Sequence, residues 1–304
     1  MSKIVVMFAG QGSQYKQMGF DFLVNSVSAK SLFDLAAKNV DFNLRDALSS
    51  DLINNTKYTQ PLVFLTSAMI YSEVKKIIEP DAILGFSLGE YSAYYANGVL
   101  SFLDTLKIIS KRAALMNAAA NKNPGIMAAI IGLKANELET VIKELNCNVT
   151  IANYNEPNQL VISGKEECVN KVIELALEKG ARRAIPLNVS GAFHSKLMNE
   201  AGLHLFNYLN DEGFVFNKPK YPMWLNTTGK KLVDEDIKIV MRDQVFSSVK
   251  FYQSIENLIA GGYNTFIEIG PGKVLTGLVK KIDRSVNVIN INNYSDLDKL
   301  KELD

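Results

Sequence analysis

Histidine is almost missing from this sequence. Two occur in 304 residues, His194 and His204, so any acid–base chemistry that needs imidazole has two candidates. Cysteine is as scarce. Cys147 and Cys168 lack C-x-x-C spacing and have no histidine nearby, which argues against a zinc site and against a disulfide framework, and suits a reducing cytoplasm. An excess of one charge is missing too: 33 Lys and Arg stand against 32 Asp and Glu, a net charge of +1. Nothing in that balance points to nucleic acid or to a membrane surface. Long apolar runs are also absent. The N-terminal "IVVMFAG" is too short for a signal-peptide core or a bilayer span, and no other segment is long and apolar enough to cross a bilayer. No internal repeat or low-complexity tract stands out.

What is present suits a large core: 47% of the residues are hydrophobic, and the length fits one large domain or two. "KIVVMF" reads as a buried strand ending at "AGQGSQ". A helix is expected from Thr59, with Pro61 in its first turn, to about Glu79. "AILG" reads as a strand and "LGEYSAYYA" as a helix. Ser101 and Asp104 form a capping-box pattern before "FLDTLKIISKRAALMNAA". "NKNPG", 121 to 125, breaks the sequence of elements. After it come strand, helix, two strands around "NEPN", helix and strand, the β-α-β-β-α-β order of a ferredoxin-like unit. The chain then resumes with the strand candidates "YPMWLN" and "NTFIEIG" and the helix "KVLTGLVKKI". The expected class is α/β: an α/β-hydrolase-like large domain, 1–123 and 190–304, built on a mainly parallel sheet. A ferredoxin-like small domain, 124–189, is inserted into it.

The chemistry centres on "AILGFSLGEYSAYYA". Ser87 lies between Gly85 and Gly89 on a strand-to-helix turn, the arrangement of a nucleophile elbow. The bare G-x-S-x-G pattern is weak and can be an ordinary glycine turn; the flanking strand and helix strengthen it. A serine hydroxyl needs a base. His204 falls beside the apolar positions of "KLMNEAGLHLFNYL" and reads as a packed histidine at a helix edge. His194, in "GAFHS", follows a strand and opens a helix, so it is the better base, with a solvent-exposed loop histidine as the alternative. Projected at about 100° per residue, Arg112 falls in the apolar arc of Phe102, Leu106, Ile109 and Met116. A buried arginine needs an anion, supplied either by a protein carboxylate or by a substrate carboxylate. "AGQGSQ" is not a phosphate loop: the third glycine of G-x-G-x-x-G is replaced by Tyr15, and no Walker lysine follows. Its glycine turn can still present a main-chain N–H to an oxyanion. Gln11 is then one donor and Leu88, which follows the nucleophile, the other.

"FAGQGSQ", "GFSLGEYSA", "KRAALM", "GAFHS" and "EIGPG" occur in the order found in malonyl-CoA:acyl carrier protein transacylases. The resemblance covers nearly the whole chain and extends to the acyltransferase domains of polyketide synthases. It implies that Ser87 is malonylated by malonyl-CoA and that His194 moves the proton. Gln11 and Leu88 would form the oxyanion hole, Arg112 would bind the free carboxylate of malonate, and Gln244 would orient the histidine. The coenzyme A thioester is the substrate; no resident cofactor and no metal are implied. The malonyl group would pass to the phosphopantetheine thiol of acyl carrier protein, supplying fatty acid synthesis. Phe193 matches the malonyl-selecting form of its motif, since a phenyl ring would crowd a methyl branch; one methyl is worth about 1–3 kcal/mol.

Two positions depart from the family pattern: Phe86 stands where histidine usually precedes the nucleophile, and Ser248 where proline is common. Three rivals follow from the same residues. A trans-acting malonyl acyltransferase of a polyketide synthase shares every motif. An acyl hydrolase is disfavoured by Arg112, and a non-catalytic carrier-binding subunit by the intact Ser87, His194, Arg112 and Gln11. Arg182, Arg183 and Lys196 could meet an acidic carrier protein, or be solvated surface charges. A monomer is the family expectation, with no nucleic acid and no membrane among its partners.

Overall fold

The computed structural model describes residues 2–303. They divide into two compact units. The first comprises Met1–Ala113, Phe214–Leu225 and Asn257–Asp304; the second comprises Ala114–Gly213 and Asn226–Glu256. The expected small domain, 124–189, falls inside the second, which also takes in flanking segments on both sides.

The first unit is organised by four parallel strands: β1 (Ile4–Phe8), β2 (Ala82–Gly85), β7 (Thr265–Ile269) and β8 (Asn287–Ile291), in the order β2-β1-β7-β8. β1, β2 and β7 are short apolar runs buried almost throughout, as expected for parallel strands covered on both faces. β8 is the edge and is largely half-exposed. Its mixed "NVINI" carries a weaker strand signal than the other three. "YPMWLN" does not form a full strand. Met223 makes a single parallel bridge to Ile83, with Ile83 N–H donating to Pro222 and Trp224 N–H donating back to Ile83.

The helix Thr56–Val74 starts earlier than its sequence pattern suggested, and Pro61 sits inside it. Asn55 supplies the start, accepting from Lys57 N–H. Nearly every residue of the helix is buried, so it belongs to the core rather than to a surface layer. At the start of Phe102–Lys122, Asp104 N–H donates to the Ser101 hydroxyl, which in turn donates to the Asp104 carboxylate.

In the second unit, β3 (Ile126–Ile131), β4 (Val149–Glu156), β5 (Gln159–Gly164) and β6 (Arg183–Pro186) form an antiparallel sheet ordered β4-β5-β3-β6. The helices Ala135–Leu145 and Glu166–Glu178 pack Leu138, Val141, Val169 and Val172 against Ala128, Ile130 and Ile162. This is the ferredoxin-like order read from the sequence. His204, expected to pack at a helix edge, is exposed on the helix Asn199–Asp211. Its neighbours Ala201 and Leu205 take the buried face instead.

Candidate active site

In the first unit the site grows from the carboxyl ends of β1 and β2, where parallel sheets place their ligands. Phe86 N–H donates to the Phe8 carbonyl at 3.0 Å, extending the β1–β2 pairing by one residue. The chain then reverses. Ser87 adopts φ 51°, a left-handed conformation that a serine rarely takes, and the helix Gly89–Ala96 begins two residues later. Strain of this kind persists only where the surroundings enforce it. Here the enforcement comes from close backbone approach. A Cβ on Gly85 would lie 2.0 Å from the Gly89 carbonyl, and one on Gly89 would lie 2.1 Å from the Phe8 carbonyl oxygen. Both glycines are therefore required by contact distance. Ser87 is partly exposed at the turn, whereas Leu88 behind it is fully buried.

The "AGQGSQ" loop lies against this elbow: a Cβ on Gly10 would come within 2.4 Å of the Phe86 carbonyl oxygen. "EIGPG" supports the loop from the end of β7. Ala9 N–H donates to Ile269 at 3.0 Å, and Gly270, with φ 131°, sits where a Cβ would be 2.8 Å from that of Ala9. Glu268, fully buried at the end of β7, accepts from Leu275 and Thr276 N–H at 2.9 and 2.8 Å, fixing the following helix Val274–Ile282. Burial raises the pKa of its carboxyl, with those hydrogen bonds opposing the rise. Among the described residues, no acceptor is paired with the main-chain N–H of Gln11 or of Leu88. Two such donors at strand–helix turns can stabilise a developing oxyanion.

Arg112 comes up from the helix Phe102–Lys122 and is 1% exposed. Its Nη1 donates to Gln60 Oε1 at 2.8 Å, and its guanidinium lies 5.1 Å from the centre of the Tyr91 ring. Burial pushes the arginine pKa down, while Tyr91 and Glu90 oppose the shift. The same burial raises the Tyr91 phenol to about 12. Gln60 then donates to Gln11 Oε1 at 3.3 Å, and Gln11 Nε2 donates to Thr56 at 3.0 Å. One polar chain thus runs from the arginine to the side chain of Gln11 in the "AGQGSQ" loop. The sequence reading missed Gln60, Glu90 and Tyr91. A glutamine inside the apolar run "TQPLVFLTSAMIY" was the available signal, the same kind that exposed Arg112.

Gln60→Leu keeps the volume and removes both links. Its expected effect is roughly a 10- to 100-fold loss in kcat/KM for an acyl thioester bearing a free carboxylate, from two buried hydrogen bonds that together contribute about 1.4–2.8 kcal/mol. Steady-state kinetics with thioesters that carry and lack the carboxylate check it. An equal loss on both would place Gln60 in the fold rather than in the arginine's support.

The remaining expected residues lie in the second unit. His194 is buried at 4% exposure and, like Ser87, has a left-handed backbone, φ 57°. Its Nδ1 is 3.0 Å from the main-chain carbonyls of both Gln244 and Ser247. Carbonyls only accept, so Nδ1 carries a proton, which in the neutral ring leaves the lone pair on Nε2. Gln244, buried at the end of the helix Ile237–Gln244, thus reaches the histidine through its backbone. The two carbonyls are held in turn by β4. Val249 bridges Asn153 with N–H···O bonds of 2.8 and 2.9 Å to Ala152 and from Tyr154, and the Ser248 hydroxyl donates to Ile151 at 2.7 Å. Ser248 therefore fixes the segment by its side chain where proline would fix it by its ring. Phe193, beside the histidine, is buried. No group of three or more His, Cys, Asp or Glu among the described residues is placed to hold a metal ion.

A strained serine beside two available main-chain donors, and an imidazole presenting Nε2, are the parts needed to form and break an ester, the work of an acyltransferase. The chain belongs to that family: the model described as acyl transferase domain matches residues 5–297. Its relatives narrow the class to the malonyl-CoA:acyl carrier protein transacylases. It is 41% identical over 301 residues to malonyl CoA-acyl carrier protein transacylase of Bacillus subtilis, covering 96% of this chain and 94% of that one. It is 38% identical over the whole of both chains to the Staphylococcus aureus protein of the same name. A solved structure from Streptococcus pneumoniae matches with a TM-score of 0.93 at 38% identity and 99% coverage of both chains. A malonyl-transacylase solved with its type II polyketide acyl carrier protein matches with a TM-score of 0.95 at 30% identity, covering both chains completely. No helix among the described residues is long and apolar enough to cross a membrane.

Proposed function

We propose that this protein transfers a malonyl group from malonyl-CoA to the phosphopantetheine thiol of acyl carrier protein, through an ester on Ser87. The observation that carries the reading is the elbow: a left-handed serine between two glycines that cannot bear side chains. In the first half-reaction His194 Nε2 takes the serine proton and the hydroxyl oxygen attacks the thioester carbon. The oxyanion that forms is held by the N–H groups of Gln11 and Leu88. Collapse expels the coenzyme A thiolate, which takes the proton back from His194. The second half-reaction repeats these steps with the carrier thiol. The chemistry needs the Ser87 hydroxyl and His194 Nε2 to meet, and it calls for no resident cofactor. Arg112 holds the distal carboxylate of malonate, with Gln60 and Tyr91 fixing its guanidinium. Phe193 narrows the space beside the acyl chain.

The relatives named for malonyl transfer over full length support fatty acid synthesis as the destination. The polyketide complex among the structural neighbours supports the second reading, a polyketide carrier. Two cysteines, too few and too irregularly spaced for a disulfide framework, favour a cytoplasmic location, and a monomer is part of the same proposal.

The test is to mix the protein with malonyl-CoA, follow its intact mass, and then add holo acyl carrier protein. A malonyl adduct that discharges onto the carrier is the expected result. Steady coenzyme A release without a carrier would make the protein a hydrolase instead. A loaded enzyme that discharges only onto a polyketide carrier would select the second reading.

A further inference from the structure

We infer that Cys147 and Cys168 form a reversible redox pair that a peroxide closes into an intramolecular disulfide within the ferredoxin-like sheet unit. The two are 21 positions apart, and nothing in their spacing marks them as partners. The fold brings them together. Cys147 ends the connection between the helix Ala135–Leu145 and β4, and Cys168 lies in the first turn of Glu166–Glu178. Between them, Val149 pairs with Gly164, and the Asn148 carbonyl oxygen is 2.9 Å from where a Gly164 Cβ would stand. The residues just after Cys147 are thus held against the strand end four residues before Cys168. Both side chains pack on the edge of one apolar cluster and are half-exposed. Half-exposure admits a small oxidant, and a shared packing site lets the second thiol capture what the first becomes.

The chemistry balances in two steps. One thiol attacks hydrogen peroxide, becoming a sulfenic acid with loss of water. The other displaces hydroxyl from that sulfenic acid as a second water, forming the S–S bond. Two thiols lose two electrons and two protons, and one peroxide becomes two waters. A dithiol reductant reverses the change. Contact with Cys168 and burial both raise the Cys147 thiol above its ordinary pKa, with Lys171 opposing the rise. Closure should therefore quicken as pH rises toward that value. Around the pair stand Lys171 and Glu167, themselves ion-paired at 2.6 Å.

The bond would enclose the β4–β5 hairpin and tie the start of β4 to a helix. That removes freedom from the unfolded chain, and the effect expected from a loop of this size is a rise in the thermal midpoint of roughly 5 °C. The test treats the whole protein with hydrogen peroxide, blocks remaining thiols, and maps proteolytic fragments by mass with and without dithiothreitol. The expected product is a monomer about 2 Da lighter, with the fragments bearing Cys147 and Cys168 joined, and melting at the higher temperature. Cys147→Ser and Cys168→Ser should each abolish the joined fragment, while unoxidised malonyl transfer stays unchanged. Oxygen added to single sulfurs without a cross-link, or disulfides only between molecules, would overturn the inference. The wild-type mapping stands even if a serine variant folds poorly.

Discussion

Ser87→Ala is expected to abolish the malonyl adduct and to lower transfer to the carrier by about four to six orders of magnitude, the scale on which loss of a serine nucleophile is felt. The substitution removes one oxygen and little else. Alanine meets the same left-handed backbone that serine already accepts at φ 51°, so the elbow should keep its shape and the thermal midpoint should scarcely move. Binding of malonyl-CoA should survive as well, because Arg112 and the N–H of Leu88 belong to other residues. The combination to look for is tight substrate binding with no turnover. Intact-protein mass after malonyl-CoA, a binding isotherm and a melting curve measure the three parts separately. An adduct that persists on the alanine variant would place the ester on another residue.

Arg112→Ala should divide substrates by charge. Malonyl transfer is expected to fall by roughly 30- to 5000-fold, matching about 2–5 kcal/mol for taking one partner from a buried charge pair. Acetyl-CoA has no distal carboxylate to lose, so acetyl transfer relative to malonyl transfer should rise. Arg112 is also a buried cation resting on Tyr91 and Gln60, so its removal costs stability whatever its role. Comparing the two acyl groups on the same folded variant cancels that cost. Lysine should rescue only in part, because an ammonium cannot reproduce the planar fork that meets Gln60 and a carboxylate together. Equal losses on both thioesters would show that the guanidinium serves the fold and not the substrate.

The sequence was most legible where local pattern and long-range contact agree. The buried runs of β1, β2 and β7 and the β-α-β-β-α-β order needed only periodicity and turn residues. The Ser87 turn was read from its glycines together with the strand before it and the helix after it, and the burial of Arg112 from its place in an apolar arc. What escaped was set by tertiary contact. β8 is a mixed-pattern edge strand that exists because β7 offers it a partner. Met223 pairs with Ile83 through one bridge, too little for a strand. His204 was placed among apolar residues, but its helix buries Ala201, Leu205 and Leu209 and leaves the histidine outside. Gln60 and Tyr91 gain their meaning from Arg112, 52 and 21 positions away. Two cysteines without a motif become neighbours only when β4 and β5 pair. Gln244 was marked by resemblance, and one contact it makes with His194 is through a carbonyl that any residue carries.

That last contact changes where the enzyme is vulnerable. In a Ser–His–Asp triad the acid is a single point of failure: one substitution, or one protonation at low pH, unseats the imidazole. Here the tethering oxygens come from peptide groups, which do not titrate and which a codon change cannot delete. Heritable damage to the alignment of His194 must therefore come through displacement of the 244–250 backbone rather than through loss of a functional group. Resistance or inactivation screens should accordingly find few hits at the residues that hold His194, and more among those such as Ser248 that pin that segment to β4.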